Sequence, residues 1–322
     1  MEKMEKKKVI IGIICVLICE LLFGFSNIFT KRITNLISPV TLLSWRFILA
    51  FIVLNLCVCL RIIKLNIKGK SIKPLLMIAI FQPILYFIGE TFGIQFTTAS
   101  ESGTFIACIP IVTLICSALI LKEKPNKWQI IGISITAIGI MCIVLIKGME
   151  ASFHPIGYFM LFLGVLSYSL YAVFSQKAAD FTDIDKTYVM IALGAVFFTL
   201  IALIENGRAG TINDFILLPI TNIDFLVAIL YLGIGSSVLA FLLYNIAISH
   251  MGTNKTASFA GISTIVAILA GVIILNEPFS FGQLIGTVLV IGGVYIANIN
   301  VDKCINSIDS TNEDILENEE II

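Results

Sequence analysis

Long apolar runs of about 18–24 residues recur along the whole sequence, and they restrict the fold more than any other feature. A helix of that length crosses the ~30 Å hydrocarbon core of a bilayer at ~1.5 Å per residue. The runs lack two-residue alternation, and lipid offers no hydrogen-bond partner to an open sheet edge, so only helices fit them. Charged residues make up 13% of the 322 residues, too few to cover a soluble surface of this size. The sequence therefore predicts an all-α integral membrane protein with ten transmembrane helices. We place them at 9–30, 40–60, 74–96, 102–121, 128–146, 156–175, 187–204, 225–248, 256–275 and 281–300.

Lysine and arginine are distributed unevenly between the two sides that ten spans define. If the N-terminus is cytoplasmic, the inside segments carry 16 of these residues and the outside loops carry four. Positive charge accumulates on the cytoplasmic side of membrane proteins. We therefore expect a multi-pass protein of the cell membrane with both termini inside, namely segment 1–8 and an acidic tail, 301–322, that we expect to be disordered. The first run is too long for a signal peptide and has no cleavage site after it, so we expect an uncleaved helix.

One residue pattern occurs twice, 154 positions apart. "LKEKPNKWQIIGISITAIGI" from Leu121 and "LNEPFSFGQLIGTVLVIGGV" from Leu275 share leucine, glutamate, glutamine and two glycines at matched positions. Five spans per copy reverse the second copy in the membrane. The loop after the fourth span carries three lysines and its counterpart after the ninth carries none, as an inverted duplication requires. The alternative is that two helix hairpins share turn residues by chance. We predict one repeat at 9–147 (helices one to five) and one at 154–300 (helices six to ten).

These two segments resemble the signature of EamA-type repeats in the drug/metabolite transporter superfamily. Three other stretches are similar to that family: "FGFSNIFTKR" at 23–32, "SWRFILA" at 44–50 and "ETFGIQFTTASESGTFIACIPIVTLI" at 90–115. The resemblance extends from residue 9 to about residue 300. It implies a basket-like helical transporter that moves small metabolites, often outward, through a central cavity between the repeats. Substrates differ widely within the family.

Three ionisable residues fall inside predicted spans: Glu20 in the first, Arg46 in the second and Glu90 in the third. A charge at the bilayer centre costs ~3 kcal/mol on insertion scales, so each should face a cavity or a partner. Arg46 and Glu90 reach a similar depth near the outer side and could pair directly. In one interpretation they form a structural ion pair while Glu20 reaches a hydrated vestibule. In the other, which we favour, one or both glutamates bind a substrate amine or carry a proton and Arg46 binds an anionic group.

Tyrosines and asparagines add hydrogen-bonding groups to the apolar spans, where each needs a partner. We take them as further candidates for the lining of a substrate cavity, although any single tyrosine could instead belong to the interfacial aromatic belt. The candidates are Asn27, Tyr86, Tyr168, Tyr171, Tyr244 and Asn245.

Backbone-breaking residues mark places where helices can bend. Pro83 and Pro110 interrupt the third and fourth predicted spans and are expected to kink them. Adding 154 maps these positions to Ser237 and Thr264, so the second repeat is not expected to be kinked equally. The "GIGSS" segment at 233–237 is a further place where the eighth span could loosen.

The expected function is secondary transport: a permease that exports small metabolites, such as amino acids or related compounds. The expected partners are a small-molecule substrate and the lipid bilayer, with proton coupling left open, and no nucleic acid. No HExxH or Walker GxxxxGK[ST] motif occurs, and the eight cysteines form no CxxC pair, so we expect no enzyme activity, cofactor or metal. The alternatives are a non-transporting membrane sensor or partner subunit, and a membrane enzyme of unrecognised type.

Overall fold

The structure is a computed structural model, and it describes residues 2–34, 36–96, 108–147, 155–275, 281 and 284–297. Every regular element in these residues is a helix. The first five helices are α1 (Glu2–Thr34), α2 (Pro39–Cys59), α3 (Lys73–Ala79, Ile80–Leu85 and Tyr86–Phe96 in continuation), α4 (Ile109–Ile120) and α5 (Lys127–Lys147). The others are α6 (Pro155–Lys177), α7 (Asp183–Ala209), α8 (Ile212–Thr221), α9 (Ile223–Leu230, Tyr231–Leu239 and Ala240–Met251), α10 (Thr253–Ala257, Ser258–Ala260 and Gly261–Leu275) and α11 (Leu284–Ala297).

Helices lie in all ten predicted segments, and within the described residues six helices are long and apolar enough to cross a bilayer. These six are α1, α2, α3, α6, α7 and α9. The all-helical membrane class is therefore confirmed, and the count of ten spanning helices stays a prediction. The tail 301–322, together with Glu277 and Gln283 of the second motif, lies outside the described residues.

Two boundaries differ from the sequence prediction. Helix α1 begins at Glu2, so most of the charged segment 1–8 is already helical rather than a separate tail. Helix α8 was not predicted at all, because ten residues are too few for a spanning helix and Pro219 breaks the pattern near its end. Trp45 of α2 fixes α8 in place: its indole Nε1 donates a 2.9 Å hydrogen bond to the carbonyl oxygen of Phe215, and the two rings are in contact.

Helix α7 shows how local sequence sets the ends of a helix. Thr182 and Asp185 form a capping box, in which each side chain accepts a hydrogen bond from the other residue's backbone N–H. The helix ends at Gly210, whose φ of 72° is readily adopted only by glycine. This helix packs against α2 through a buried core that includes Phe47 and Phe198, whose rings stack at 5.6 Å.

The helices pack in matched pairs. Helix α1 lies along α9 and α10, and α6 lies along α3 and α4. Helices α2 and α7 contact each other, and each also contacts the irregular segment of a helix in the other half of the chain. For α2 that segment is Tyr231–Leu239 of α9, and for α7 it is Ile80–Leu85 of α3.

Both irregular segments are stretches of wide, π-helical turns. In α3 the segment contains Pro83, and Gln82 is non-helical with φ −142° and ψ 121°. Adding 154 to Ile80–Leu85 gives 234–239, which lies inside the irregular segment of α9. As expected, the proline occurs in only one of the two segments. Both segments nevertheless have irregular turns, and these lie at matched positions. Pro110 lies in the first turn of α4, so within the described residues it begins a helix rather than kinking one.

Glycines allow α5 and α11 to approach closely. A Cβ atom added to Gly132 would lie 2.5 Å from the carbonyl oxygen of Gly293, and one added to Gly139 would lie 2.8 Å from the carbonyl oxygen of Gly286. Because the earlier glycine of one helix meets the later glycine of the other, the two helices run antiparallel. Small residues at such crossings are a common basis of helix association in membranes.

This crossing predicts that the same substitution destabilises the protein at one position and leaves its stability unchanged at the adjacent one. Gly293→Val places a side chain against the backbone of Gly132, so we expect the helices to separate and the melting temperature in detergent to fall by several degrees. Gly292→Val is the matched control, because a Cβ at Gly292 meets no described atom within 4 Å. Equal melting temperatures for the two variants would contradict the crossing.

Candidate functional site

Arg46 lies at the contact between α2 and the wide turns of α9. Its side chain is buried, with 4% of its surface exposed. Nε donates a 2.7 Å hydrogen bond to Ser237 Oγ, and Nη2 donates a 2.9 Å hydrogen bond to Ser236 Oγ. The guanidinium also lies 4.7 Å from the centre of the Phe87 ring, a cation–π distance. Two hydroxyl groups and a ring face, rather than a carboxylate, therefore hold the positive charge.

Glu90 lies near Arg46 without forming an ion pair with it. Among the described residues, no nitrogen of Arg46 is within 4.0 Å of a carboxylate oxygen of Glu90, although the two groups interact electrostatically. Instead, Tyr86 OH donates a 2.9 Å hydrogen bond to Glu90 Oε1 from one turn earlier in α3. The direct Arg46–Glu90 pair considered from the sequence is therefore not formed, because the guanidinium is directed to the hydroxyl groups of α9.

Glu20 is the most isolated of the three charged groups. Only 2% of its surface is exposed, and Oε1 has no hydrogen-bond partner among the described residues. Its carboxyl group interacts with the hydroxyl and the backbone of Ser263 on α10. In this conformation the carboxyl group of Glu20 is therefore closed off from the surface of the bundle. A buried carboxyl group without a cation is energetically costly and, inside a membrane, typical of a functional position.

Four tyrosine rings connect the region of Arg46 and Glu90 to Glu20. Tyr86 lies 5.5 Å from Tyr168, which lies 5.5 Å from Tyr244 and 5.8 Å from Tyr171, all between ring centroids. The row begins beside Glu90, and both Tyr168 and Tyr244 interact electrostatically with Glu20. The hydroxyl of Tyr244 is buried without a hydrogen-bond partner in the described part of the chain. The structure thus brings four predicted tyrosines and all three predicted charges into one cluster, in which Tyr86 and Glu90 are partly exposed and the others are buried. We call it the central cluster.

Asn245 lies in a hydrogen-bond network between three helices. Its Oδ1 accepts hydrogen bonds from Tyr171 OH at 3.1 Å and from Ser175 Oγ at 2.7 Å, and its Nδ2 donates to Thr187 Oγ1 at 3.1 Å. The amide is fully buried and joins α6, α7 and α9. In this conformation its donors and acceptors are therefore paired with other side chains, and its role as a substrate ligand stays a prediction. The side chain of Asn27 lies outside the described residues.

Sequence reasoning missed Ser236, Ser237 and Gln82 as polar members of the central region. The two serines were noted only as small residues that could loosen a helix. Gln82 is buried, and its Oε1 has no partner among the described residues. No sequence pattern distinguishes these residues from serines and glutamines elsewhere, because their positions depend on the irregular turns of α3 and α9.

The fold and this cluster define a class: a helical membrane protein with buried charges and aromatic rings at the contact between its two halves. Comparison with known proteins supplies the family. The model of the EamA-like transporter family matches residues 10–145 and again 155–299, so the chain belongs to the EamA-like transporter family.

Individual relatives agree with this assignment. The uncharacterized transporter YcxC of Bacillus subtilis strain 168 is 33% identical over 293 residues, covering 90% of this chain and 93% of its own. The uncharacterized transporter YetK of the same organism is 26% identical over 259 residues, covering 79% and 76%. A solved crystal structure with 16% identity superposes with a TM-score of 0.71, covering 92% of this chain and 98% of its own, and so shares the fold.

Proposed function

We propose that this protein is a secondary transporter of the cell membrane that exports amino acids or related small zwitterions through the central cluster. The observation that carries this proposal is the unequal pairing of the buried charges. Among the described residues, Arg46 donates hydrogen bonds to two hydroxyls and lies over a ring face without an ion pair, and Glu20 Oε1 has no hydrogen-bond partner. A substrate carboxylate would complement Arg46, and a substrate amine would complement a glutamate and the tyrosine faces.

The balance of charge supports proton coupling. The central cluster contains two acidic groups, Glu20 and Glu90, and one basic group, Arg46. With all three ionised it has a net charge of minus one in a low-dielectric environment, which favours uptake of a proton or a cationic group. A bound zwitterion leaves that balance unchanged, so we propose that a proton moves together with, or in exchange for, the substrate.

The glycine crossing supports an inverted duplication of 9–147 and 154–300. Gly286 and Gly293 follow Gly132 and Gly139 by 154 residues. In the structure Gly132 contacts Gly293 and Gly139 contacts Gly286. A two-fold axis in the membrane plane produces this exchange, whereas copies with the same orientation would bring equivalent glycines together. The matched irregular segments of α3 and α9 support the same interpretation.

Efflux from proteoliposomes tests the proposed function. Purified protein is reconstituted with a panel of radiolabelled amino acids inside, and efflux is followed with and without a pH gradient. We expect saturable efflux of at least one zwitterion, and competition by molecules that carry both an amine and a carboxylate. Efflux of organic cations alone would contradict the zwitterion proposal, and no flux of any solute would favour a sensor or partner subunit.

Membrane topology is a separate prediction. We expect both termini in the cytoplasm, because 16 lysines and arginines lie on that side and four on the other. Fusions of a phosphatase and of a fluorescent reporter after Lys8 and after Ile299 should both indicate the cytoplasm. A fusion after Arg208, in a predicted external loop, is the matched opposite control. An external signal at either terminus would rule out ten spans in two inverted repeats.

A further inference from the structure

A polar cluster lies at the end of the bundle that the charge bias assigns to the cytoplasm. At its centre is Glu123, the glutamate of the first repeated motif. Its Oε1 accepts a 2.6 Å hydrogen bond from Gln176 Nε2. Its Oε2 accepts hydrogen bonds from Ser117 Oγ at 3.1 Å and from Asn254 Nδ2 at 3.4 Å. Asn254 Nδ2 also donates to Ser117 Oγ at 3.0 Å, so this set closes on itself.

These hydrogen bonds join the two halves of the chain. Ser117 and Glu123 flank the end of α4 in the first half, whereas Gln176 ends α6 and Asn254 begins α10 in the second. Gln176 uses its other atom to extend the set, because Oε1 accepts a 2.6 Å hydrogen bond from the backbone N–H of Thr253. One glutamine side chain therefore connects Glu123 to the turn between α9 and α10.

A second set of contacts joins the halves at the same end. The backbone N–H of Asn66 donates a 2.8 Å hydrogen bond to Asp185 Oδ1, and Lys70 Nζ donates a 2.7 Å hydrogen bond to the carbonyl oxygen of Asp180. The loop between α2 and α3 is thereby attached to the turn between α6 and α7. Glu123 also faces a cleft of about 290 Å³, which Gly252 and Asn254 line as well.

We propose that Glu123, Gln176, Ser117, Thr253 and Asn254 form a latch that closes the cytoplasmic end of the transport path. The inference rests on the proposed transport function and adds the device that controls access to it. Glu123 is suited to this role because an ionised carboxylate accepts several hydrogen bonds and donates none. When the two halves move apart, water replaces each of these hydrogen bonds at a small net cost in free energy, so the latch can open. The motif glutamate therefore contacts the opposite half rather than the substrate.

The polarity of the hydrogen bonds provides a direct test. Glu123→Gln replaces one acceptor by a donor, which then opposes the donors of the latch. Gln176→Glu places two carboxylates together. The double variant E123Q/Q176E restores complementarity, because the carboxylate introduced at position 176 would accept from the amide introduced at position 123 and still accept from the backbone N–H of Thr253. We expect both single variants to open the cytoplasmic end and the double variant to close it again. Lys124→Gln, at the exposed neighbour of Glu123, is the matched control.

A native thiol reports access without any knowledge of the substrate. Cys19 is fully buried beside Glu20, whereas Cys59 at the end of α2 is exposed. In inside-out vesicles treated with a membrane-impermeant methanethiosulfonate, the extent of labelling at each cysteine is measured by peptide mass spectrometry. We expect about tenfold faster labelling of Cys19 in each single variant, as the loss of one to two hydrogen bonds implies. Labelling of Cys59 should be equal in all variants.

The possible results of this experiment distinguish a failure of the latch proposal from a failure of the proposed transport function. Unchanged Cys19 labelling in E123Q, or a double variant as open as the single ones, overturns the latch whether or not solute flux is found. Restored protection in the double variant supports it even where no tested solute is transported. If E123Q fails to give monodisperse protein in detergent, Ser117→Ala removes a single hydroxyl group, which donates to Glu123 and accepts from Asn254. It carries the same expectation with a smaller rise in labelling.

Discussion

Replacing Arg46 by glutamine is expected to reduce substrate efflux by roughly 10–100-fold. The guanidinium is the cation of the central cluster, and a charge-assisted hydrogen bond to a substrate carboxylate contributes roughly 1.5–3 kcal/mol. Arg46→Lys should recover only part of the flux, because a lysine retains the charge but lacks the planar fork that reaches Ser236 and Ser237 together. The measurement is efflux from proteoliposomes as a function of substrate concentration, with equal amounts of reconstituted protein.

Two further variants distinguish a functional from a structural role of Arg46. Arg32→Gln is the matched control: Arg32 forms a 3.1 Å ion pair with Asp224 in which both side chains are more than half exposed, and such pairs contribute little. The double variant Arg46→Met with Glu90→Met removes both charges and keeps similar volume. If the two residues only stabilise the bundle, this double variant should transport almost normally. We expect it to express well and to remain inactive, and normal efflux would refute the functional interpretation.

The helices were predictable because the requirement to span lipid is encoded in the length and composition of each segment. The same reasoning identified Glu20, Arg46 and Glu90, since a charge inside an apolar run is visible without a structure. It missed α8, which is too short to satisfy the length criterion. Within the described residues Pro110 lies in the first turn of α4, and its placement inside a longer span stays a prediction.

The partners of the buried charges were not predictable in the same way. Counting residues along a span gives the depth of a side chain, but not the rotation of its helix or the neighbour it faces. Arg46 and Glu90 have similar predicted depths, yet Arg46 binds Ser236 and Ser237 across a stretch of wide turns. Asn245 illustrates the same limit, because its three partners come from helices 58–74 residues away in sequence. Span length and hydropathy contain no information on such turns or contacts.

Replacing Glu20 by glutamine is expected to remove the pH dependence of transport. Glutamine has nearly the same shape as a protonated glutamate, so the packing against Ser263 should be retained while the ability to bind and release a proton is lost. In proteoliposomes with an imposed pH gradient, the wild-type protein should accumulate substrate against its concentration gradient. The Glu20→Gln protein should at most equilibrate substrate across the membrane, at a rate that is the same at each pH.

The matched control for this experiment is Glu205→Gln, an exposed carboxylate on α7 outside the central cluster. It should retain both accumulation and the wild-type pH profile. Glu90→Gln distinguishes the roles of the two glutamates of the central cluster. Glu90 already accepts a hydrogen bond from Tyr86 and lies near Arg46, whereas one oxygen of Glu20 has no partner among the residues that the structure describes. Uptake of a proton therefore relieves a larger electrostatic cost at Glu20 than at Glu90. We expect Glu90→Gln to weaken substrate affinity and to keep the pH dependence. An unchanged pH profile in Glu20→Gln, together with a lost one in Glu90→Gln, would assign the proton to Glu90 instead.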